Sequence, residues 1–180
     1  MTGSRVLLMD GDARRAGLTR RLAAARRCGM LDVLSRTAAV DEALLHEAST
    51  GLTFLPSSGP APTNVSPPEM LGSREMVRMM SALKCEFDII VVDAPPLLPV
   101  IDGRILADHA DQIVFVMTWR RTPKQLARKS LASLGFNQSK LVGVVVNDVA
   151  EGILDDISGF DRATGYGHAS SRPAHMVHAA

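Results

Sequence analysis

The chain is poor in the features that mark several classes of protein. Its 180 residues include only two cysteines, Cys28 and Cys85, which are too few for a disulfide framework and too far apart for a paired-cysteine metal site. Its longest apolar runs, such as "IIVV" and "VGVVV", are far shorter than the ~20 residues that span a bilayer. The net charge is only +1, which gives no sign of a nucleic-acid partner. We therefore expect a cytoplasmic domain with its own core.

Five short apolar stretches alternate with helical patterns along the chain. The first, "VLLM", has no polar alternation, so we expect a strand that is covered on both faces, as in a parallel sheet. The other four have the same character and end in turn or polar residues; they occupy residues 51–56, 87–93, 112–117 and 141–147. Strands that alternate with helices pair in parallel through right-handed crossovers. The predicted fold class is α/β, doubly wound, with a mostly parallel sheet.

Two of the helical patterns carry signals at their ends. In "SREMVRMMSALK", apolar residues share one face and Ser73 is the expected N-cap. In "TPKQLARKSLASLG", we expect Thr122 to cap the helix, Pro123 to take its first position and Gly135 to end it. Both patterns therefore predict helices with defined ends.

Two segments fall outside this alternation. Residues 56–73 contain five prolines among serines and glycines, which predicts a long surface loop with little secondary structure. After residue 150 the apolar periodicity ends and Gly, Ser, His and Ala dominate, which is typical of a flexible tail. The predicted organisation is one domain over residues 1–150 and a tail over residues 151–180 that holds a single tyrosine, Tyr166.

Acidic residues stand at the ends of two predicted strands. Asp10 and Asp12 follow "VLLM", and Asp93 ends "FDIIVVD". Ligands of open α/β sheets bind beyond the carboxyl ends of the strands, and a carboxylate there can hold Mg²⁺ beside phosphates. The alternative is a structural role, because aspartates in such places also cap helices and form turns. Asp102 is expected to be such a helix cap, before "GRIL".

Several segments, in order, resemble the bacterial tyrosine kinases (BY-kinases) of capsule and exopolysaccharide synthesis, which belong to the MinD/ParA-like P-loop ATPases. "VLLMDGDARRAGL" is similar to the family's Walker A′ segment, and "FDIIVVDAPPLLPVIDGRIL" is similar to Walker B. "GLTFLPSSGPAPTNVSPPEMLGSREM" and "WRRTPKQLARKSLASL" follow the family pattern on either side of Walker B. Matches in the right order are more specific than any one motif.

The resemblance implies roles for individual residues. Asp10 and Asp12 would be the Walker A′ acids, which act around Mg²⁺ and in activating the attacking tyrosine hydroxyl, and Asp93 would be the Walker B acid that shares the metal with Asp12. Phosphoryl transfer needs such carboxylates for the metal, cations that spread the developing charge and an oriented hydroxyl. The residues implied to lie near the phosphates are Arg14 and Arg15, and the residue implied near the adenine is Asn147. A basic helix face and a strand-end turn are the alternatives for these three.

The family pattern begins with parts that are not among these residues. It starts with a strand, a Walker A loop ending in Gly-Lys-Thr or Gly-Lys-Ser and a helix, whereas no lysine of this sequence follows a glycine. The amides of that loop cradle phosphates and its lysine neutralises them. We expect a partial kinase-like domain from Walker A′ onward, with an unpaired strand edge and exposed apolar surface, and no ATP binding by the isolated chain. A fragment, a misassigned start and a degenerate copy completed by another chain are the three interpretations.

The implied function is that of an ATP-dependent protein-tyrosine autokinase that regulates capsular or exopolysaccharide synthesis and export, inactive as the isolated chain. ATP and Mg²⁺ are the implied cofactors, and Tyr166 is the candidate for phosphorylation. The implied partners are a membrane polysaccharide co-polymerase or transmembrane adaptor and further copies of the kinase, at the inner face of the membrane. The alternatives are a non-catalytic pseudo-kinase or interaction module and a MinD/ParA-like positioning ATPase.

Overall fold

The computed structural model describes residues 3–23, 25, 28–57 and 66–150. The predicted tail, with Tyr166, and the middle of the proline-rich loop lie outside these residues. The described strands are β1 (Val6–Asp10), β2 (Leu45–His46), β3 (Thr53–Leu55), β4 (Ile89–Asp93), β5 (Ile113–Thr118) and β6 (Leu141–Asn147). The described helices are α1 (Gly17–Leu22), α2 (Met30–Leu34), α3 (Val40–Ala43), α4 (Pro67–Leu71), α5 (Arg74–Glu86), α6 (Asp102–His109) and α7 (Lys124–Ala132). A 3₁₀ turn, Gly135–Lys140, precedes β6.

Two groups of hydrogen-bonded strands form the sheet structure of the described residues. The larger group has the order β2-β3-β1-β4, and the smaller consists of β5 and β6. β1 pairs in parallel with both β3 and β4, and β5 pairs in parallel with β6. The two-residue β2, which the sequence pattern did not predict, is antiparallel to β3. The prediction of an α/β fold with a mostly parallel sheet is confirmed.

The hydrophobic core lies on one face of β1 and its neighbours. Leu7 and Met9 of β1 are completely buried, and they pack with the apolar face of α5 and with residues of α2 and α6. Alternate residues of a strand point to opposite faces, so this face of the larger sheet is covered by helices. The fully buried hydrophobic residues at its centre include Leu7, Met9, Met30, Leu55, Leu71 and Met76.

The other face of the sheet is open, so the prediction of strands covered on both faces is wrong for most of them. Ile90 and Val92 of β4 pack against the core, but Ile89 and Val91 are 50% and 49% exposed. In β5, Val114 is also about half exposed. An all-apolar run predicts burial only if an element exists to cover each face, and none among the described residues covers these side chains. The same side chains confirm the expected exposed apolar surface. The expected unpaired edge is seen in the strand order, because β4 is the last strand of its group and pairs only with β1 among the described strands.

The α5 helix begins as its sequence signal predicts. The Ser73 side-chain oxygen accepts a hydrogen bond from the backbone N–H of Met76 at 3.2 Å. This contact satisfies one of the amide groups that a helix start leaves without a partner inside the helix.

The α7 helix begins one residue later than predicted. Pro123 occupies the capping position and the helix starts at Lys124, so Thr122 is not its cap. The Thr122 hydroxyl instead accepts a hydrogen bond from the N–H of Thr118 at the end of β5. Gly135, at φ 57°, has a left-handed conformation beyond the end of the helix, which glycine adopts at little cost.

The proline-rich segment contains more structure than predicted. Residues 67–71 form α4, whose Met70 and Leu71 are buried in the core. Pro67 and Pro68 lie in its first turn, where the absence of a backbone N–H costs nothing, and the Glu69 carboxylate accepts a hydrogen bond from the N–H of Ser66. A composition rich in proline therefore does not distinguish a loop from a helix start. None of the described helices has the length and apolar character needed to cross a membrane.

Candidate functional site

The Asp10 carboxylate is completely buried at the carboxyl end of β1. One oxygen accepts hydrogen bonds from the backbone N–H and the hydroxyl of Thr19 in α1, both at 2.7 Å, and the other accepts the N–H of Asp12 at 3.1 Å. The Thr19 hydroxyl oxygen in turn accepts the N–H of Ser57, which follows β3. Asp10 therefore ties the loop after β1 to the first helix and to the neighbouring strand.

The Asp12 carboxylate shapes the loop that it belongs to and stays partly accessible. Its Oδ1 accepts the backbone N–H groups of Arg14 and Arg15 at 3.1 and 2.9 Å, which is the local turn that aspartate commonly forms. Among the described residues, Oδ2 has no hydrogen-bond donor. One oxygen of Asp12 therefore holds the loop, and the other is left without a donor from the described residues.

Gly11, between these two acids, lies against the end of β4. Its N–H donates to the carbonyl oxygen of Asp93 at 2.8 Å. A Cβ at this position would lie 2.9 Å from that carbonyl oxygen and 2.8 Å from Leu106 of α6. Only glycine allows the two strand ends to come this close.

Asp93 brings a third carboxylate to the same edge. It is the register partner of Asp10 in the parallel pair of β1 and β4. Its carboxylate has no hydrogen-bond donor among the residues that the structure describes. Burial raises the pKa of Asp93, and the negative charges of Asp10 and Asp12 raise it further. The three acids predicted from the sequence therefore lie within electrostatic reach of one another.

The acids offer only part of a metal shell. Within residues 3–23, 25, 28–57 and 66–150, no group of three or more His, Cys, Asp or Glu side chains is arranged to hold a metal ion. Both oxygens of Asp10 already accept hydrogen bonds. Asp12 and Asp93 are therefore the acids whose carboxylate oxygens can coordinate a metal ion. Two carboxylates suit Mg²⁺, which usually keeps several waters and takes one or two protein carboxylates together with substrate phosphates. A cation there would also offset the repulsion that raises the pKa of Asp93.

Arg14 is paired with a carboxylate and does not point freely into the site. Its guanidinium donates to both oxygens of Asp102, at 2.8 and 3.2 Å, and this contact raises the pKa of Arg14. Asp102 is completely buried in the first turn of α6 and makes no capping hydrogen bond, so its interpretation as a helix cap is wrong. A buried carboxylate needs a charge partner. The Arg14 guanidinium supplies it by donating one hydrogen bond to each oxygen of Asp102. The pair fastens the loop after β1 to the helix that follows β4.

The other two residues implied by the resemblance lie apart from this pair. The Arg15 side chain is exposed, and none of its hydrogen bonds to described residues involves the guanidinium. Asn147 ends β6, opposite Thr118, and its carbonyl oxygen accepts the N–H of Trp119. β6 belongs to the smaller sheet, so Asn147 is not brought to the acids by strand pairing.

One side chain of the site, Thr19, was missed in the sequence, and a second, Asp102, was assigned a different role. Thr19 follows Asp10 by nine residues, in a helix whose polar residues are mainly arginines, and no spacing rule connects it to the strand. The role of Asp102 is not visible in a local pattern, because its partner, Arg14, lies 88 residues away in the sequence. A buried aspartate in a first helical turn is indistinguishable in sequence from an exposed one.

Comparison with known proteins adds to this geometry. No family model matches the chain. It is 35% identical to the succinoglycan biosynthesis transport protein ExoP of Rhizobium meliloti (strain 1021), over 167 residues that cover 93% of this chain and 21% of that protein. It is 32% identical to the tyrosine-protein kinase YwqD of Bacillus subtilis (strain 168), over 81% of this chain and 60% of that kinase. The chain belongs to the BY-kinase family.

The fold supports this membership. The crystal structure of the VpsO kinase domain superposes with a TM-score of 0.74 at 26% identity, over 82% of this chain and 72% of that domain. The BY-kinase chain described here spans about a fifth of the length of ExoP and 60% of YwqD.

Proposed function

We propose that the chain is the acid-bearing part of an ATP-dependent protein-tyrosine kinase that acts in capsular or exopolysaccharide synthesis and export. One observation carries the proposal. Asp10, Asp12 and Asp93 converge at the carboxyl ends of two paired parallel strands, in a chain that is 32% identical to a tyrosine-protein kinase. The carboxyl edge of a parallel sheet is where α/β proteins bind their ligands.

The proposed roles of the three acids follow from their hydrogen bonds. Asp10 holds the loop, because its oxygens are engaged by Thr19 and by the N–H of Asp12. Asp12 and Asp93 present the remaining carboxylate oxygens, to Mg²⁺ and to the hydroxyl of an incoming tyrosine. When bound, Mg²⁺ would supply positive charge for the phosphate groups.

The arginines and Asn147 have secondary parts in the proposal. Arg15, whose exposed guanidinium has no partner among the described residues, is available to the phosphates. Arg14 acts through its pair with Asp102, by holding the loop that carries Asp12. Asn147 lies near the adenine only if β6 joins the same sheet as β4 in the complete kinase. Tyr166 is the proposed acceptor of the phosphoryl group.

The proposed setting is the cytoplasmic side of a membrane. ExoP is named as a transport protein of succinoglycan biosynthesis, so we propose a membrane polysaccharide co-polymerase or transmembrane adaptor as the partner. Further copies of the kinase are proposed to phosphorylate one another on tyrosine.

The kinase proposal is tested on the protein in its native complex. The chromosomal gene would carry an affinity tag, and the isolated complex would be incubated with Mg²⁺ and γ-labelled ATP. We expect labelled phosphotyrosine, and a loss of about 100-fold or more in its rate for Asp12→Asn. Asp41→Asn, at an exposed acid of α3, is the matched control and should leave the rate unchanged. ATP hydrolysis without phosphotyrosine, or equal rates for both variants, would contradict the proposal.

A further inference from the structure

Positive charge is concentrated in one stretch of the chain, from residue 112 to residue 147. This stretch contains six cationic residues and no acidic residue. The rest of the chain holds the other 14 of the 20 lysines and arginines together with all 19 acids, so it has a net charge of −5. The cations of the stretch are Arg120, Arg121, Lys124, Arg128, Lys129 and Lys140. Charge that is separated in this way attracts anionic partners even when the whole chain is nearly neutral.

Five of these six cations are available to an anion. Lys140 is engaged within the fold, because its Nζ donates to the carbonyl oxygens of Ala107 and Asp108 at 2.9 and 3.1 Å. The other five lie in the loop after β5 and on α7, and all of them are exposed. None of the five forms an ion pair with a residue that the structure describes. Their charge is therefore directed to solvent or to a partner.

A completely exposed aromatic ring accompanies these cations. Phe136 belongs to the 3₁₀ turn that packs against α7, and its side chain is fully exposed. Leu126 of α7 is 45% exposed. A partly exposed leucine is ordinary, but a fully exposed phenylalanine contributes nothing to the core that it could otherwise help to form. We call the five exposed cations, Leu126 and Phe136 the basic surface.

Hydrogen bonds to two helices fix the turn that presents Phe136. The side-chain amide of Asn137 donates to the Asp108 carboxylate in α6 at 2.6 Å. The side-chain amide of Gln138 donates to the carbonyl oxygen of Leu131 in α7 at 3.0 Å. The turn is therefore held in place without burial of the ring. A ring that is held at the surface in this way is ready to contact an apolar layer outside the chain.

The combination of cations with one apolar ring matches the surface of an anionic lipid bilayer. Anionic headgroups attract lysine and arginine, and aromatic rings settle at the level of the headgroups. The phosphates of a nucleic acid would attract the same cations, but bases stack on several aromatic rings, and Phe136 is the one exposed ring of this surface among the described residues. We propose that the basic surface binds directly to bilayers that contain anionic phospholipids, with the Phe136 ring among the headgroups.

This inference goes beyond the proposed function, which assigns the contact with the membrane to a partner protein. The basic surface also lies on elements other than those that carry Asp10, Asp12 and Asp93. Its test needs neither ATP nor phosphotyrosine, so its outcome is independent of the kinase proposal.

The test measures binding of the full chain to lipid vesicles by flotation. One set of vesicles contains about one-third phosphatidylglycerol in phosphatidylcholine, and the other contains phosphatidylcholine alone. We expect binding to the anionic vesicles only, and a loss of binding when the salt concentration rises from about 0.1 to about 0.5 M, because salt screens exposed charges. Phe136→Ser should weaken binding about tenfold. It should leave the melting temperature unchanged, because the side chain is fully exposed.

Two double variants separate the basic surface from net charge. Arg128→Gln with Lys129→Gln should weaken binding about 25-fold, because each cation near an anionic membrane contributes about fivefold. Arg20→Gln with Arg21→Gln removes the same charge from exposed positions of α1 and should change the affinity by less than about twofold. Equal losses in the two double variants would overturn the proposal, since net charge alone would then account for the binding.

Three other results would also overturn it. The first is an absence of binding to the anionic vesicles, and the second is equal binding to the vesicles of phosphatidylcholine alone. The third is tighter binding to duplex DNA than to vesicles, with no effect of Phe136→Ser, which would assign the basic surface to a nucleic acid.

Discussion

Replacing Gly11 by alanine is expected to destabilise the chain and to disturb the acidic edge. The new Cβ would lie 2.9 Å from the carbonyl oxygen of Asp93, 2.8 Å from Leu106 and 3.0 Å from Val92. The Leu106 side chain can rotate away, but the carbonyl oxygen is backbone and is held by the hydrogen bond from the Gly11 N–H. The ends of β1 and β4 must therefore separate. Overpacking of this kind typically costs about 1–3 kcal/mol.

The free energy of unfolding of the Gly11→Ala variant would be measured by urea titration followed by circular dichroism. Gly17→Ala is the matched control, because nothing lies within 4 Å of a Cβ there and the residue begins α1. The control should be neutral or more stable by up to about 1 kcal/mol, since alanine is the better helix former. A Gly11→Ala variant within about 0.5 kcal/mol of the unmodified chain would refute the close approach of the two strands.

Three further predictions use the same site. Thr19→Val should lower the free energy of unfolding by about 1–3 kcal/mol, because buried Asp10 and the N–H of Ser57 each lose a partner; a smaller loss by urea titration would contradict the network. Asp93→Asn should stabilise the chain near pH 7, since a raised pKa in the folded state makes the charged carboxylate unfavourable there. That gain should vanish as the pH falls below the ordinary aspartate value of about 3.9, and a gain independent of pH in thermal melts would argue against it. Calorimetry should detect no ATP binding by the isolated, monodisperse chain, and measurable binding would show that phosphate contacts exist without a Gly-Lys loop.

Local patterns were sufficient to predict most of the elements. Apolar runs located five of the six described strands, and Ser73 marked the start of α5 because its side chain bonds to the backbone within one turn. Thr122 and the proline-rich segment show the limit of such patterns. Thr122 could bond to its own helix or to the end of β5, and two consecutive prolines are compatible with a loop or with a first helical turn.

Only those site residues that are marked by a short local pattern could be predicted from the sequence. Asp10, Asp12 and Asp93 follow apolar runs, and the carboxyl ends of parallel strands meet at one edge. The contact between Arg14 and Asp102 depends on where α6 packs, which no short pattern determines. The same holds for the exposed face of β4, because an apolar run describes what a strand can bury and not what is present to cover it.

The carboxylate site itself is tested most directly with manganese, a paramagnetic substitute for Mg²⁺. In two-dimensional NMR of the isotope-labelled chain, low concentrations of Mn²⁺ should broaden the amide signals of residues 10–12 and 93–94 before any others. Asp12→Asn should abolish that selectivity, whereas Asp41→Asn should preserve it. Broadening that begins at exposed acids elsewhere, such as Asp111, and leaves residues 10–12 and 93–94 sharp would contradict a cation site between β1 and β4.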